Sequence, residues 1–245
     1  MSKVFFISDA HLGADIPEAA GREEVLCRFL EKVRLEKASD LYMLGDIFDF
    51  WFEYKTVVPS GHQAVLCGLR RLIEDGVRVH YVAGNHDFWM GDFLTRDIGI
   101  ELYFEPLQTE IGGMTFYLHH GDGIAASDRM YRFLKKVLRN PLNIFLYRLI
   151  HPDLGIPLAK RCSGSSRKYA ERREFPPEFL KDYHDYAKKK INENCDFVIM
   201  GHTHLPEKIS IDSGTYMNTG SWIKDYYYVI FEDNKASLKN FRDEM

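Results

Sequence analysis

The stretch Val4-Phe5-Phe6-Ile7-Ser8-Asp9-Ala10-His11 decides the reading of the fold, because four apolar residues in succession give way at once to a carboxylate and an imidazole. So short an apolar run, followed by polar residues, reads as a buried strand with chemistry at its end. The same pattern recurs at residues 40–44, 77–83, 115–119 and 197–200. Between these runs, Val25, Leu26, Phe29, Leu30 and Val33 recur at helical spacing, and so do Val65, Leu66, Leu69, Leu72 and Ile73. Each set predicts a helix with one apolar face, so the class is α/β. Residues 109–111 and 114–118 flank Gly112-Gly113, and residues 227–231 and 236–238 flank Asp233-Asn234. Tight turns between apolar runs are hairpin signals, which makes the expected sheet mixed.

Composition sets outer limits. A chain of 245 residues that is 45% hydrophobic and 28% charged can bury one large core, or a core with an insertion, which excludes disorder as an account of it. A net charge of −4 argues against a protein that coats nucleic acid, and no nucleic-acid partner is expected. Cys27, Cys67, Cys162 and Cys195 form no C-x-x-C pair, which fits free thiols in a reducing, cytosolic compartment. The apolar run at Val4 is too short for a signal peptide, and no window approaches the roughly 20 apolar residues of a spanning helix. The expected protein is soluble and free to touch a membrane surface.

Five short motifs occur in order: Asp9-Ala10-His11, Gly45-Asp46-Ile47-Phe48-Asp49, Gly84-Asn85-His86-Asp87, His120-Gly121-Asp122 and Gly201-His202-Thr203-His204. Four follow a predicted strand directly and the second sits at the end of one, so oxygen and nitrogen ligands collect where α/β folds build their sites. Asp9 and His11, two residues apart, can turn toward one metal, as can His202 and His204. A carboxylate such as Asp46 can bridge two cations, and Asn85 supplies a neutral carbonyl oxygen. Imidazole and carboxylate without thiolate suits manganese first, with iron or zinc as the alternatives. Each piece also has a plain structural reading: Gly45-Asp46 as a helix cap, Gly84-Asn85 as a turn, His86 as an ordinary turn histidine. Five in order, each at a strand end, are hard to assemble by accident.

These motifs resemble those of the calcineurin-like metallophosphoesterase superfamily, D-x-H, G-D-x-x-D, G-N-H-[DE], a His before Gly, and G-H-x-H, over nearly the whole chain from Asp9 to His204. Within it, Ser8-Asp9-Ala10-His11-Leu12-Gly13, Leu44-Gly45-Asp46-Ile47-Phe48-Asp49, and His120-Gly121-Asp122 followed by Asp128 look like the UDP-2,3-diacylglucosamine hydrolases of lipid A synthesis. The resemblance implies a four-layer αββα sandwich with mixed sheets, as a single domain over 1–245. It implies that Asp9, His11, Asp46 and His204 hold one divalent cation, while Asp46, Asn85, His120 and His202 hold the other. It further implies in-line attack of a metal-activated water on a diphosphate, giving UMP and an acylated glucosamine 1-phosphate. Asp46 and His86 would be the catalytic pair, His86 acting from the outer sphere on a phosphate oxygen or leaving group with Asp87 or another acid fixing its ring. His86 stands where many lipid hydrolases carry Arg. Asp49 and Asp122 are read as carboxylates that orient the ligating histidines.

From Asp128 to about Pro177 no clear strand is found, and Met130, Phe133, Leu134, Val137 and Leu138 mark a helix that Pro141 interrupts or ends. We read residues 128–177 as a helical insertion. Over residues 128–173 it is basic, with Arg129, Arg132, Lys135, Lys136, Arg139, Arg148, Lys160, Arg161, Arg167, Lys168, Arg172 and Arg173 against Asp128, Asp153 and Glu171. Apolar residues beside cations suit a lid over an acyl chain, an element on an anionic inner-membrane surface, or a solvated helix packed on the core. By resemblance, Asp128, Ser166 and Arg173 join Asn85, His86 and His202 as substrate contacts, with Ala170 where the family has Asn. Trp51, Phe52, Phe88 and Trp89 line a channel or pack in the core. The reading is therefore a cytoplasmic, peripheral-membrane hydrolase of a nucleotide-sugar lipid. The alternatives are a phosphoesterase for another nucleotide or phosphodiester, and a catalytically silent metal-binding membrane adaptor.

Overall fold

The structure is a computed structural model describing residues 3–16, 21–171, 177–223 and 225–245, and the side chains of these apart from 163 and 165–171. Strand β1 (Val4–Ile7) runs parallel to β2 (Asp40–Met43), which runs parallel to β3 (Arg78–Val82), and β4 (Glu101–Tyr103) forms that edge. On the other side of β1 the antiparallel hairpin of β10 (Tyr227–Glu232) and β11 (Lys235–Asn240) completes a six-stranded sheet. A second sheet of five strands is built from β5 (Leu107–Ile111), β6 (Met114–His119), β7 (Phe197–Met200), β8 (Pro206–Ile211) and β9 (Gly214–Thr219), in the order β5-β6-β7-β9-β8. Its three inner strands are parallel and its edges antiparallel, so both sheets are mixed, as the hairpin signals imply.

Alternation along β1 explains the layering. Phe5 and Ile7 point to one side, where they pack with Phe29 and Leu30 of α1 (Arg22–Leu35) and Leu69 and Leu72 of α2 (Gln63–Glu74). Val4 and Phe6 point to the other, against Phe116, Leu118 and Ile199 of the second sheet, with the Phe6 and Phe116 rings stacked at 5.8 Å. The far face of the second sheet is covered by α6 (Pro177–Asn192) through Phe179, Tyr183, Ala187 and Ile191. Helix, sheet, sheet, helix is the expected four-layer arrangement. Each large apolar side chain fully buried in it contributes about 1.5–3 kcal/mol.

Between β6 and β7 the chain forms α3 (Arg129–Leu138), α4 (Pro141–Arg148) and α5 (Pro152–Glu171). Pro141 opens α4 at a position where no amide donor is required, and the Asn140 side chain accepts from Leu142 N at 2.9 Å. Unlike α1, α2 and α6, helices α3 and α4 bury no residue fully. Met130 is 78% exposed and Leu149 69%, and Phe133, Leu142, Phe145 and Leu154 are also exposed. Among the described residues no helix is long and apolar enough to cross a membrane.

Candidate two-metal site

The carboxyl ends of β1, β2 and β3 in one sheet and of β6 and β7 in the other open onto a common crevice. Asp9 follows β1, Asp46 follows β2, Asn85 follows β3, His120 follows β6, and His202 and His204 follow β7. The loops are tied backbone to backbone: Asp9 N donates to Gly45 O, His11 N to Asp46 O and Gly201 N to His120 O, at 2.9–3.1 Å. Asp9, His11, Asp46, His202 and His204 all have left-handed backbones, with φ between 44° and 70°. Asp and His tolerate that region better than most residues, and such strain concentrates at functional sites. The turns also need glycine. A Cβ on Gly84 would overlap the Asp46 carboxylate, and one on Gly201 would collide with Ser8 and Asp9.

Three overlapping groups of ligand atoms result, the third being His86 with His11 and Asp46. In the first, His204 Nε2 lies 3.2 Å from both Asp9 Oδ1 and His11 Nε2. In the second, His120 Nε2 lies 3.0 Å from Asn85 Oδ1, 3.2 Å from His202 Nδ1 and 3.4 Å from Asp46 Oδ2. Asp46 Oδ2 faces both of these groups, being also 3.8 Å from His11 Nε2. All seven sequence-derived ligand candidates are thus brought together.

The donor set fits divalent cations. Asp9 is completely buried; its Oδ2 accepts from His202 N at 2.9 Å and from Ser8 Oγ, yet Oδ1 has no hydrogen-bond partner among the described residues. A buried carboxylate oxygen without a donor is costly unless a cation completes it. Burial pushes His11 and His202 down to about 4, with neighbouring imidazoles adding to the shift, so both present neutral lone pairs. Burial acts in the same sense on His120, but the Asp46 carboxylate outweighs it and pushes this group up to about 10. Burial raises Asp46 in turn, and the charges of His120 and His86 overcome it and hold Asp46 well below its ordinary range. A proton on His120 therefore supplies the positive charge that two carboxylates demand; a divalent cation meets that demand better. His120 Nδ1 lies 2.7 Å from Leu44 O, so Nδ1–H donation to that carbonyl turns Nε2 inward.

The surrounding residues divide less simply. Asp49 Oδ1 is 3.5 Å from His11 Nδ1, and the Asp49 carbonyl lies 3.0 Å from His86 Nδ1, so this residue orients two imidazoles. Asp87 does not fix the His86 ring. It turns inward, accepting from Gly84 N at 2.9 Å and from Tyr81 OH, because the turn's buried amides need an acceptor. Burial, with the Asp46 charge, pushes it up to about 6. Asp122 is likewise turned to other partners than the ligand imidazoles: it accepts from Tyr131 OH at 3.1 Å, Lys135 Nζ at 2.7 Å and Arg139 Nη2 at 2.9 Å, all on or just after α3. Asp128 caps α3, accepting from Tyr131 N at 3.2 Å. Arg173 lies outside the described residues, as does the side chain of Ser166.

A cavity of about 460 Å³ opens beside Asn85 and His86 and runs beneath the helices between β6 and β7. Its walls are mainly apolar, with Phe50, Phe52, Phe88 and Trp89 from the core loops facing Leu134, Leu138, Ile144, Tyr147 and Leu158. Three of the four loop aromatics flagged in the sequence, Phe52, Phe88 and Trp89, line it, whereas Trp51 is in the core. Tyr131, Lys135 and Arg139, none of them expected from the sequence as a site residue, line its polar neck.

Comparison with known proteins agrees with this geometry. The model of the calcineurin-like phosphoesterase family matches residues 2–206. A UDP-2,3-diacylglucosamine hydrolase of Porphyromonas gingivalis is 34% identical over 99% of this chain and 98% of its own. One from Neisseria meningitidis is 28% identical over 97% of each chain. Among solved structures, an archaeal phosphodiesterase matches with TM-score 0.51 and 14% identity over 97% of this chain and 99% of its own. The phosphoesterase Yfce of E. coli matches with TM-score 0.50 and 17% identity over 99% and 95%, a likeness of fold.

Proposed function

Because the chain belongs to the calcineurin-like phosphoesterase family and is a metal-dependent hydrolase, we propose that it cleaves the diphosphate of UDP-2,3-diacylglucosamine to UMP and 2,3-diacylglucosamine 1-phosphate. The observation that carries this reading is the apolar cavity that begins at Asn85 and His86 and continues under α3, α4 and α5. A phosphodiesterase of small nucleotides has no use for some 460 Å³ of hydrocarbon-lined space next to its ligands, whereas a diacylated sugar does. Full-length likeness to relatives named for this substrate supports the same choice.

In this account Asp9, His11, Asp46 and His204 hold one cation, and Asp46, Asn85, His120 and His202 the other, with manganese as the proposed metal. When bound, the cations supply a nucleophilic water at neutral pH and neutralise charge on the phosphoryl oxygens. His86, held through Nδ1 at the Asp49 carbonyl, presents Nε2 toward the phosphate. Asp128 and Asp122 position α3, the first helix of the proposed lid on a single domain. The exposed apolar residues of that lid, with Arg129, Arg132, Lys136 and Arg148 among them, suit a peripheral position on the cytoplasmic face of an anionic membrane, where the lipid is taken up. The direct test is release of UMP from the acylated nucleotide sugar by purified protein with manganese. Hydrolysis of simple phosphodiesters without such release would exclude the lipid substrate.

A further inference from the structure

We propose that Arg139 is a catalytic residue that binds the phosphate leaving with the acylated sugar. The assignment rests on the lipid-diphosphate reading and names the side chain that takes the second phosphate. Arg139 follows α3 directly, and its Nη2 donates to Gly84 O at 3.1 Å and to Asp122 Oδ2 at 2.9 Å. Its Cζ lies 3.9 Å from the centre of the Phe88 ring. Gly84 precedes Asn85 and Asp122 lies two positions after His120, so the guanidinium is clamped between two loops that carry candidate ligands. Among the described residues Nη1 and Nε make no hydrogen bond, although the side chain lines the cavity. The donors of a planar fork are thus partly used to fix it and partly open to a ligand.

Charge points the same way. Asp122 is shared between Arg139 and Lys135, one carboxylate against two cations, which leaves a surplus positive charge at the neck of the cavity. The cavity that Arg139 lines is also lined by Asn85 and His86, whose loop the guanidinium touches at Gly84 O, and by the apolar Leu138, Ile144 and Leu158. A substrate whose nucleotide phosphate is attacked in the crevice and whose acyl chains fill the cavity must lay its sugar phosphate across this neck. In the reaction the water oxygen bonds to the uridine-side phosphorus and the bond from that phosphorus to the bridging oxygen breaks. The electron pair stays on the bridging oxygen, now part of the sugar monophosphate, and the two water protons pass to solvent. Negative charge grows on the oxygen that departs, where an immobilised guanidinium acts most strongly.

The experiment compares Arg139→Gln, Arg139→Lys and Lys135→Gln, the last removing the other cation on Asp122 while keeping the guanidinium. Two readouts are taken: kcat on UDP-2,3-diacylglucosamine, and inhibition of bis(p-nitrophenyl) phosphate hydrolysis by glucosamine 1-phosphate. Arg139→Gln is expected to lower kcat about 10- to 100-fold and to raise the inhibition constant about tenfold, with Arg139→Lys recovering part of each. Lys135→Gln, which also lowers the positive charge at the neck, should raise the inhibition constant by clearly less than Arg139→Gln does. An inhibition constant unchanged in Arg139→Gln, or weakened equally in Lys135→Gln, overturns the proposal. If the unmodified protein releases no UMP from the lipid, the substrate reading falls, and the inhibition constants still decide whether Arg139 binds a sugar phosphate.

Discussion

His11 Nε2 and His204 Nε2 face one another at 3.2 Å although 193 positions separate the residues in sequence. Burial keeps His11 neutral, and Asp9 Oδ1, 3.2 Å from His204 Nε2, has no hydrogen-bond partner among the described residues. One ring nitrogen can donate to the other, which still leaves the Asp9 oxygen without a donor; a cation between them satisfies all three atoms.

Metal removal should therefore destabilise the fold as well as stop turnover. Stripping with a chelator is expected to lower Tm, and restoring manganese at a hundredfold over its Kd to return about 2.7 kcal/mol. Differential scanning fluorimetry with and without metal checks this, and an identical Tm in both states would count against a cation site.

Asp46 and Asp49 should differ in degree. Asp46→Ala removes the oxygen that faces both ligand groups, and is expected to lower turnover well beyond the roughly 10- to 100-fold typical of residues that only orient ligands. Asp49→Ala, which leaves the backbone carbonyl at His86 in place, should fall within that range. Steady-state rates and metal content by elemental analysis separate the two cases, and equal losses would contradict the bridging geometry.

The pH dependence of the metal-free protein has a definite sign. His120 is pushed up to about 10, Asp46 outweighing burial, so relative to an unfolded value of about 6.5 its contribution is fully present below 6.5 and lost as pH rises toward 10. His11 and His202, pushed down to about 4 mainly by burial, act oppositely: the unfolded chain takes up their protons first, so stability falls as pH drops from about 6.5 to 4. Chemical unfolding across pH should show the metal-free form weakening on both sides of about 6.5, with the alkaline loss abolished by saturating metal. Persistence of that loss in the metal-loaded form would remove His120 from the ligand set.

The exposed apolar face of the helices should be needed for membranes. Replacing Phe133 and Leu149 by Asp, both outside the cavity lining, is expected to abolish co-sedimentation with vesicles containing anionic lipid. Reversing Arg132 and Lys136 to Glu should weaken it by about 1 kcal/mol or more per residue, in a salt-dependent way. Unaltered sedimentation of both variants would leave these helices without a membrane role.

Much of the site was legible in the sequence because its ligands sit where apolar runs end. The strand at Val4 to Ile7 and the two glycine-bounded turns at Gly84 and Gly201 place Asp9, Asn85 and His202 with little freedom. The hairpin of β8 and β9 escapes the periodicity, since β8 alternates exposed with half-buried residues and Glu207 and Lys208 interrupt its apolar pattern, although β9 itself is half-buried to buried throughout. Helix α6 carries Phe179, Tyr183, Ala187 and Ile191 at four-residue spacing, a stripe one residue wide in a polar, lysine-rich segment. Asp87 adjoins His86 yet turns to Tyr81 and Gly84, because the turn's own amides outcompete the ring for its carboxylate. Tyr131, Lys135 and Arg139 look in sequence like the solvated face of an amphipathic helix; only the fold brings them onto Asp122.

The most direct measurement of the central claim is the ratio of kcat/KM for UDP-2,3-diacylglucosamine to that for the same nucleotide sugar without acyl chains. If the cavity beside Asn85 and His86 takes hydrocarbon, the ratio should be at least about 100, equivalent to burying roughly three to four methylene groups. A ratio near one would contradict it.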